Sequence, residues 1–393
     1  MIARKDLVLM ARFLSSWQRK LARSPTTGKR DPSWPHWEVY GANGSPYSQK
    51  INAYMRWKRL PFLWRSMMMS PDDEGAGATE RGDGKASRAG PGRWPRRFEH
   101  IRPRVIPVVV FPNSRSMNDS TFVIEAVEAH TGATRAAVPA DPATAFVAWL
   151  LEDFADEFLT KVMYGFRWNR EVDAVHAGRL LAYDGLGGEA ADAAAGFIQQ
   201  TQVGRTSVVG CPDDTIHPTC HAVCALLERH FATGTRFMLG DAPCVCDFAF
   251  FGQMSQWLVD RTPASFVPDR YTRTTAWLWR MADTGAVAPA PLRVNACARG
   301  LLRLCAATYL PFLRANAAAL AAGADSLTVS LRFDDGLVEH VQQPFGYQNK
   351  CYAHLRARLA AIGENAELRS VLEVTGCWDF LAGDGGGGGR SKL

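Results

Sequence analysis

No run of eighteen or more apolar residues occurs in this chain, so no segment reads as a transmembrane helix. Cysteine is sparse: nine residues lie irregularly among 393. That is not the density of a disulfide scaffold, and an odd count excludes full pairing, so a reducing compartment is the reading. Acidic residues are nearly absent from the N-terminus, where residues 1–30 hold eight Lys/Arg against the single Asp6. Apolar residues almost vanish between Ser70 and Arg97, where Gly, Ala, Arg and Asp dominate. Such a stretch cannot offset its ordering entropy by burial, so 70–97 is expected to be a disordered insertion. The net charge of +6 is modest and no stripe interleaves basic with aromatic residues. Nucleic acid is therefore not expected as a partner.

The chain is long enough for two or three domains with a sizeable core. Its hydrophobic fraction of 47% and charged fraction of 21% are those of a globular protein. Residues 1–35 form a basic lead-in. Trp37–Tyr40 reads as a strand, 47–58 as a helix with Ile51, Tyr54 and Met55 on one face, and Pro61–Trp64 as a parallel strand: a βαβ unit. Val105 to Phe111 is apolar on both faces and reads as a buried strand. A turn at 112–115, a short strand and a helix over 120–130 follow.

From Pro142 the pattern is helical almost to residue 290. Phe146, Leu150, Phe154, Phe158, Val162 and Phe166 repeat at i, i+4, with Glu152, Asp153, Asp156, Glu157 and Lys161 on the other face. That acidic face is expected to be solvated or paired with Arg or Lys. Further helices fit 173–183, 188–200, 218–233, 246–260 and 271–283. Beyond them, a helix over 300–322 precedes two alternating runs joined at Asp334-Asp335-Gly336, a hairpin signal. Helices at 347–362 and 366–375 complete a module over 300–380, for which the residues suggest packing or interaction only.

The chemistry concentrates early. Ser45-Pro46-Tyr47-Ser48 opens the first helix after a Gly-bearing loop. Arg104-Val105-Ile106-Pro107 leads into the buried strand, and Asn118-Asp119-Ser120 opens the next helix. A helix start offers unpaired N–H groups and a positive dipole end, which favour an anion. Taken singly, Ser45 and Asp119-Ser120 are ordinary helix caps and Pro107 an ordinary strand-start proline.

In this order the three parts resemble the glutathione-binding, thioredoxin-like domain of the glutathione S-transferase superfamily. The resemblance covers roughly residues 36–290 and implies the fold class: a thioredoxin-like α/β domain over 36–135 carrying the 70–97 insertion, an all-α domain over 142–290, and here an α+β extension over 300–380. It also implies roles. Ser45 would donate to the glutathione thiolate as the catalytic residue, with Tyr47 beside it. Ile106, before a cis Pro107, would pair its backbone with the cysteinyl part. Asp119 and Ser120 would hold the γ-glutamyl ammonium and carboxylate. The basic residue before the Ile-Pro pair is Arg104, one position from its usual place, which puts the glycyl carboxylate contact in question. Serine at both ends of the first motif favours thiolate activation over thiol–disulfide exchange. The segment Phe237 to Asp247 resembles the family's folding motif, with Asp247 at its N3 position and Cys244, a poor acceptor, at the cap.

The function implied is a glutathione S-transferase-like enzyme with glutathione as co-substrate and a small electrophile as the second substrate. The alternative is a non-catalytic binding or assembly module of the same fold. A homodimer is allowed by the resemblance. No metal is expected: Cys211, His217, Cys220, His221, Cys224 and His230 cluster, but no matching ligand pair follows. Cys244 and Cys246 read as packed thiols, and Trp257, Trp277 and Trp279 as core. The chain ends Ser391-Lys392-Leu393 after five glycines, Gly385 to Gly389, so 381–393 reads as a flexible tail carrying the peroxisomal address for an import receptor. A peroxisome makes lipid-derived electrophiles or peroxides reasonable co-substrates. The basic, partly amphipathic N-terminus resembles a mitochondrial presequence and supplies the competing address, with a cytoplasmic location as the third.

Overall fold

The computed structural model describes residues 36–67, 96–186 and 188–382. The basic lead-in, the insertion up to residue 95 and the Gly-rich tail with Ser391, Lys392 and Leu393 lie outside the described residues. The last residues of the expected insertion belong to a 3-10 turn over Arg96–Phe98.

The first domain is built on strand β1 (Trp37–Gly41), helix α1 (Pro46–Trp57) and strand β2 (Phe62–Ser66). Strands β3 (Val108–Val110) and β4 (Ser116–Asn118) and helix α2 (Ser120–Thr131) complete it. The sheet order is β2-β1-β3-β4. β1 pairs parallel with β2 and antiparallel with β3, and β3 antiparallel with β4. This is the thioredoxin-like arrangement. β1 is central and wholly buried: Val39 and Trp37 face the helices, while Tyr40 joins Phe98, Val108 and Val110 on the other face. The strand expected from Val105 is shorter. Val105 is 46% exposed, the Ile106–Pro107 bond is cis, and the strand begins at Val108.

Helices α3 (Pro142–Phe154), α4 (Thr160–Trp168), α5 (Glu171–Gly185), α6 (Gly188–Val203), α7 (Asp213–Phe231), α8 (Val245–Gln256) and α9 (Thr272–Ala282) form the second domain. A π-helical segment, Ala155–Leu159, joins α3 to α4, with the Thr160 N–H reaching Ala155 O. The aromatic stripe from Phe146 to Phe166 is buried as expected. α8 runs through the centre and docks on α1: a Cβ on Gly252 would stand 2.5 Å from the Pro46 carbonyl, so only glycine permits this approach. At the start of α8 the Asp247 carboxylate accepts from the N–H groups of Cys244 (3.1 Å) and Met238 (2.9 Å) and from Trp277 Nε1 (3.3 Å). Asp247 thus forms the N3 half of a capping box whose other half is the Cys244 thiol facing the N3 backbone. Trp257 and Trp277 are core, but Trp279 is 72% exposed and does not belong with them.

The extension comprises α10 (Ala296–Ala307), α11 (Tyr309–Ala322), hairpin strands β5 (Leu327–Phe333) and β6 (Gly336–Gln342), and helices α12 (Gly346–Ile362) and α13 (Ala366–Thr375). The single helix expected over 300–322 is two, broken at Thr308. This module packs against α3 and α2. Tyr309 donates to Asp153 Oδ2 (2.6 Å), Phe122 stacks on His354 (5.6 Å), and Arg358 pairs with Glu125. It therefore covers the acidic face of the α3–α4 segment. Glu152, Asp156, Glu157 and Lys161 are all buried, so of the two expectations for that face the solvated one fails, while Glu152 and Asp156 do pair with a lysine, Lys50.

Candidate functional site

Strand register gathers the three motifs. Tyr40 of β1 pairs with Val108, and Val108 pairs with Asn118 of β4. Residues just beyond these pairs are the loop leading from Gly41 to Ser45, cis Pro107 and Asp119. Adjacent strands lie about 4.8 Å apart, so all three emerge from one edge of the sheet. The starts of α1 and α2 face that edge.

Ser45 caps α1 with extended φ and ψ, and Pro46 occupies the first helical position. Its Oγ accepts from the Ser48 N–H (3.3 Å). The acceptor role leaves the hydroxyl proton free to donate. The preceding loop is held by the second domain. Arg167 donates to Gly44 O (2.7 Å) while its Nε pairs with Asp260 (2.8 Å), and Gln256 Nε2 donates to Asn43 O (3.3 Å). Asp184 of α5 accepts from both the backbone and side-chain amides of Asn43. Two domains therefore fix the position of the serine.

At the start of α2, Asp119 adopts a positive φ of 71° and accepts from the Thr121 N–H (3.2 Å). Its Oδ2 also accepts from the Tyr347 hydroxyl of the extension (2.8 Å). Ser120 is buried, and its Oγ stands 3.2 Å from Lys50 Nζ and 3.3 Å from Asp156 Oδ2. Ile106 is half-buried and Pro107 buried at the same edge, whereas Arg104 is exposed. Tyr47 is half-buried next to these groups. Its hydroxyl donates to Asp156 O (2.8 Å) and lies 3.1 Å from Thr160 Oγ1, tying α1 to the π segment. π segments leave carbonyls available for such bonds.

Lys50 is the residue that sequence reasoning missed. It is 1% exposed and pairs with Glu152 (2.5 Å) and Asp156 (2.6 Å). Burial alone would lower its pKa, but Asp156 and Glu152 outweigh it and raise the value, so the ammonium stays charged. The surrounding carboxyls are pushed the other way. Burial raises Asp153 to about 8, against the Tyr309 hydrogen bond, and Asp156 to about 7, against the pull of Lys50. Burial and Asp153 raise Glu157 well above the usual range, and burial lowers Lys161 to about 8.

A consequence for stability follows. Carboxyls with raised values hold protons in the fold that the unfolded chain has released, so stability falls as pH rises through their folded values. His340, pushed down to about 4 by burial, acts oppositely but only below its ordinary 6.5. The melting temperature is expected to be lower at about pH 8 than at about pH 6.5, measured by calorimetry in matched ionic strength.

Among the described residues one group has converging metal-ligand atoms: Cys244, Cys246 and Asp247, all buried. Asp247 is already held by its capping donors, and burial raises both thiols. In the Cys/His cluster of α7, His221 Nδ1 faces the Tyr271 hydroxyl (2.8 Å) and His217 Nε2 faces Arg170 (3.3 Å). These histidines serve local packing.

No protein-family model matches the sequence, and no curated protein matches it. Solved structures do match in shape. The beta-etherase LigF from Sphingobium sp. strain SYK-6 is similar at 16% identity, over 62% of this chain and 94% of that chain, with a TM-score of 0.40. Rice GST1 (OsGSTU1), solved in complex with glutathione, is similar at 17% identity over 65% and 93%, with a TM-score of 0.38. A glutathione transferase homolog from Drosophila mojavensis with bound glutathione is similar at 13% identity over 64% and 92%, with a TM-score of 0.36. The fold assignment stands on the strand order and connections described above.

Proposed function

We propose that the chain binds glutathione at the sheet edge shared by Ser45, Pro107 and Asp119 and activates its thiol. The observation that carries this reading is the convergence of two helix starts and the Pro107 entry to β3 at one edge. The sulfur would lie at the start of α1, where the helix dipole and the Ser45 hydroxyl stabilise a thiolate. The γ-glutamyl group would lie at the start of α2, its ammonium on Asp119 and its carboxylate on the helix N–H groups. The thiolate then attacks an electrophilic centre: a C–S bond forms, and the electron pair leaves with the displaced group or moves onto the acceptor. Calorimetric titration with glutathione tests the reading. Submillimolar binding supports it, and no heat at millimolar glutathione sinks it.

A second reading, a non-catalytic module of the same fold, draws on two specific observations. Arg104 is exposed, and both Asp119 oxygens already have internal donors. Binding without turnover of any electrophile would select it.

We also propose a peroxisomal location from Ser391-Lys392-Leu393. A fluorescent fusion ending in Ser391-Lys392-Leu393 is expected to be punctate with a peroxisomal marker. Removal of the three residues is expected to disperse it; a mitochondrial pattern would overturn the assignment.

A further inference from the structure

The extension enters the site at one point, and its chemistry is specific. Tyr347 sits in the first turn of α12 and donates to Asp119 Oδ2 at 2.8 Å. The turn is anchored on both sides. The backbone of Phe345 exchanges hydrogen bonds with Asn316, which is wholly buried: Phe345 N–H donates to Oδ1 (2.8 Å) and Phe345 O accepts from Nδ2 (3.1 Å). Next to Tyr347, the buried Gln348 donates through Nε2 to Glu157 O (3.1 Å). A side chain held between two such anchors is a fixed wall and not a mobile cover.

Asp119 needs such a wall. It holds a positive φ outside the region that most residues favour, and its other oxygen accepts from the Thr121 N–H. A carboxylate oxygen accepts more than one hydrogen bond, so the Tyr347 hydroxyl orients Oδ2 while leaving it able to receive an ammonium.

We propose that the extension completes the amine-recognising end of the site, with Tyr347 as the positioning residue that fixes Asp119 toward the amino group of the thiol peptide. This rests on the glutathione reading above. It assigns residues 346–362 a part in ligand selection: the site favours peptides with a free γ-glutamyl amine over N-acylated ones.

The test compares wild type, Tyr347→Phe and Gln348→Leu, each titrated with glutathione and with N-acetylglutathione. Tyr347 is half-exposed, so the phenylalanine variant is expected to melt close to wild type. Its glutathione affinity is expected to fall about tenfold, the loss of one hydrogen bond to a charged group. Affinity for N-acetylglutathione and the pKa of the bound thiol are expected to stay within about twofold and a few tenths, because the sulfur end is untouched. Gln348→Leu, which releases one anchor, is expected to weaken glutathione in the same direction. Unchanged or tighter glutathione binding by Tyr347→Phe overturns the inference, and tighter binding would make Tyr347 a competitor for Asp119. Equal losses for both peptides would reduce Tyr347 to a structural role. Failure of wild type to bind either peptide would sink the glutathione reading, and this inference with it.

Discussion

Lys50→Met is expected to lower the unfolding free energy by about 3–5 kcal/mol, the range for removing one partner of a buried ion pair. The reason is the company it leaves behind. Lys50 Nζ stands 2.5 Å from Glu152 and 2.6 Å from Asp156, all three of them buried. Without the ammonium, two carboxylates share a water-poor seam, and Ser120 and Thr121 lose a common neighbour. The surviving acids would take up protons, so the loss should shrink at low pH. Denaturant unfolding checks the value. Adding Glu152→Gln and Asp156→Asn to Lys50→Met is expected to recover most of it, because a neutral triad has no uncompensated charge. An effect below about 1 kcal/mol for the single change would mean that the seam is wetter than its burial indicates.

Ser45→Ala is expected to reduce turnover of an aryl halide electrophile about 10²-fold, the effect of removing one preorganised donor from a developing or full anion. Glutathione affinity should change far less, since the γ-glutamyl contacts are distant from the sulfur. The pKa of the bound thiol should return toward about 8.5, the value of a free thiol. The variant also loses the cap that Ser45 gives to the Ser48 N–H, at about 1 kcal/mol of stability. A pH–rate profile separates the two effects: a lost thiolate donor shifts the acidic limb upward, whereas a weakened cap leaves it in place. Equal turnover by both proteins would remove Ser45 from the chemistry.

Much of this architecture was legible in the sequence because local rules and tertiary demands agreed. The β1-α1-β2 unit declared itself by an apolar strand, a helix with one buried face and a second strand. The Asp-Gly hairpin at 334–336 was plain from its turn chemistry, and the strands at Leu327–Phe333 and Gly336–Gln342 form on either side of it. The edge carrying Ser45, Pro107 and Asp119 was legible only through the family resemblance that the three motifs carry in that order.

What could not be read was the far side of the α3–α4 helix. Glu152, Asp153, Asp156 and Glu157 look like any solvated face when their own helix is considered alone. Glu152 and Asp156 meet Lys50 of α1, while Asp153 and Glu157 meet Tyr309 and Gln348 of a module more than a hundred residues later, and no periodicity within one helix reports either. A signal was present at Lys50, a charge on the same helical face as Tyr47 and Tyr54, where a long side chain needs a partner. An unpaired internal lysine and an unpaired acidic row were two halves of one contact. Tyr347 was invisible for the same reason, because its meaning depends on the placement of α12 against Asp119 and not on its neighbours in sequence. Val105 misled in a different way: its β-branched character suggested strand, but it is exposed and sheet pairing starts only at Val108.

The most direct test of the account is a crystal structure of the protein with glutathione. The sulfur is expected within hydrogen-bond distance of Ser45 Oγ, the cysteinyl backbone beside Ile106 and the γ-glutamyl ammonium on Asp119 next to the Tyr347 hydroxyl. Glutathione bound elsewhere, or bound here with its amine turned away from Asp119, would contradict it.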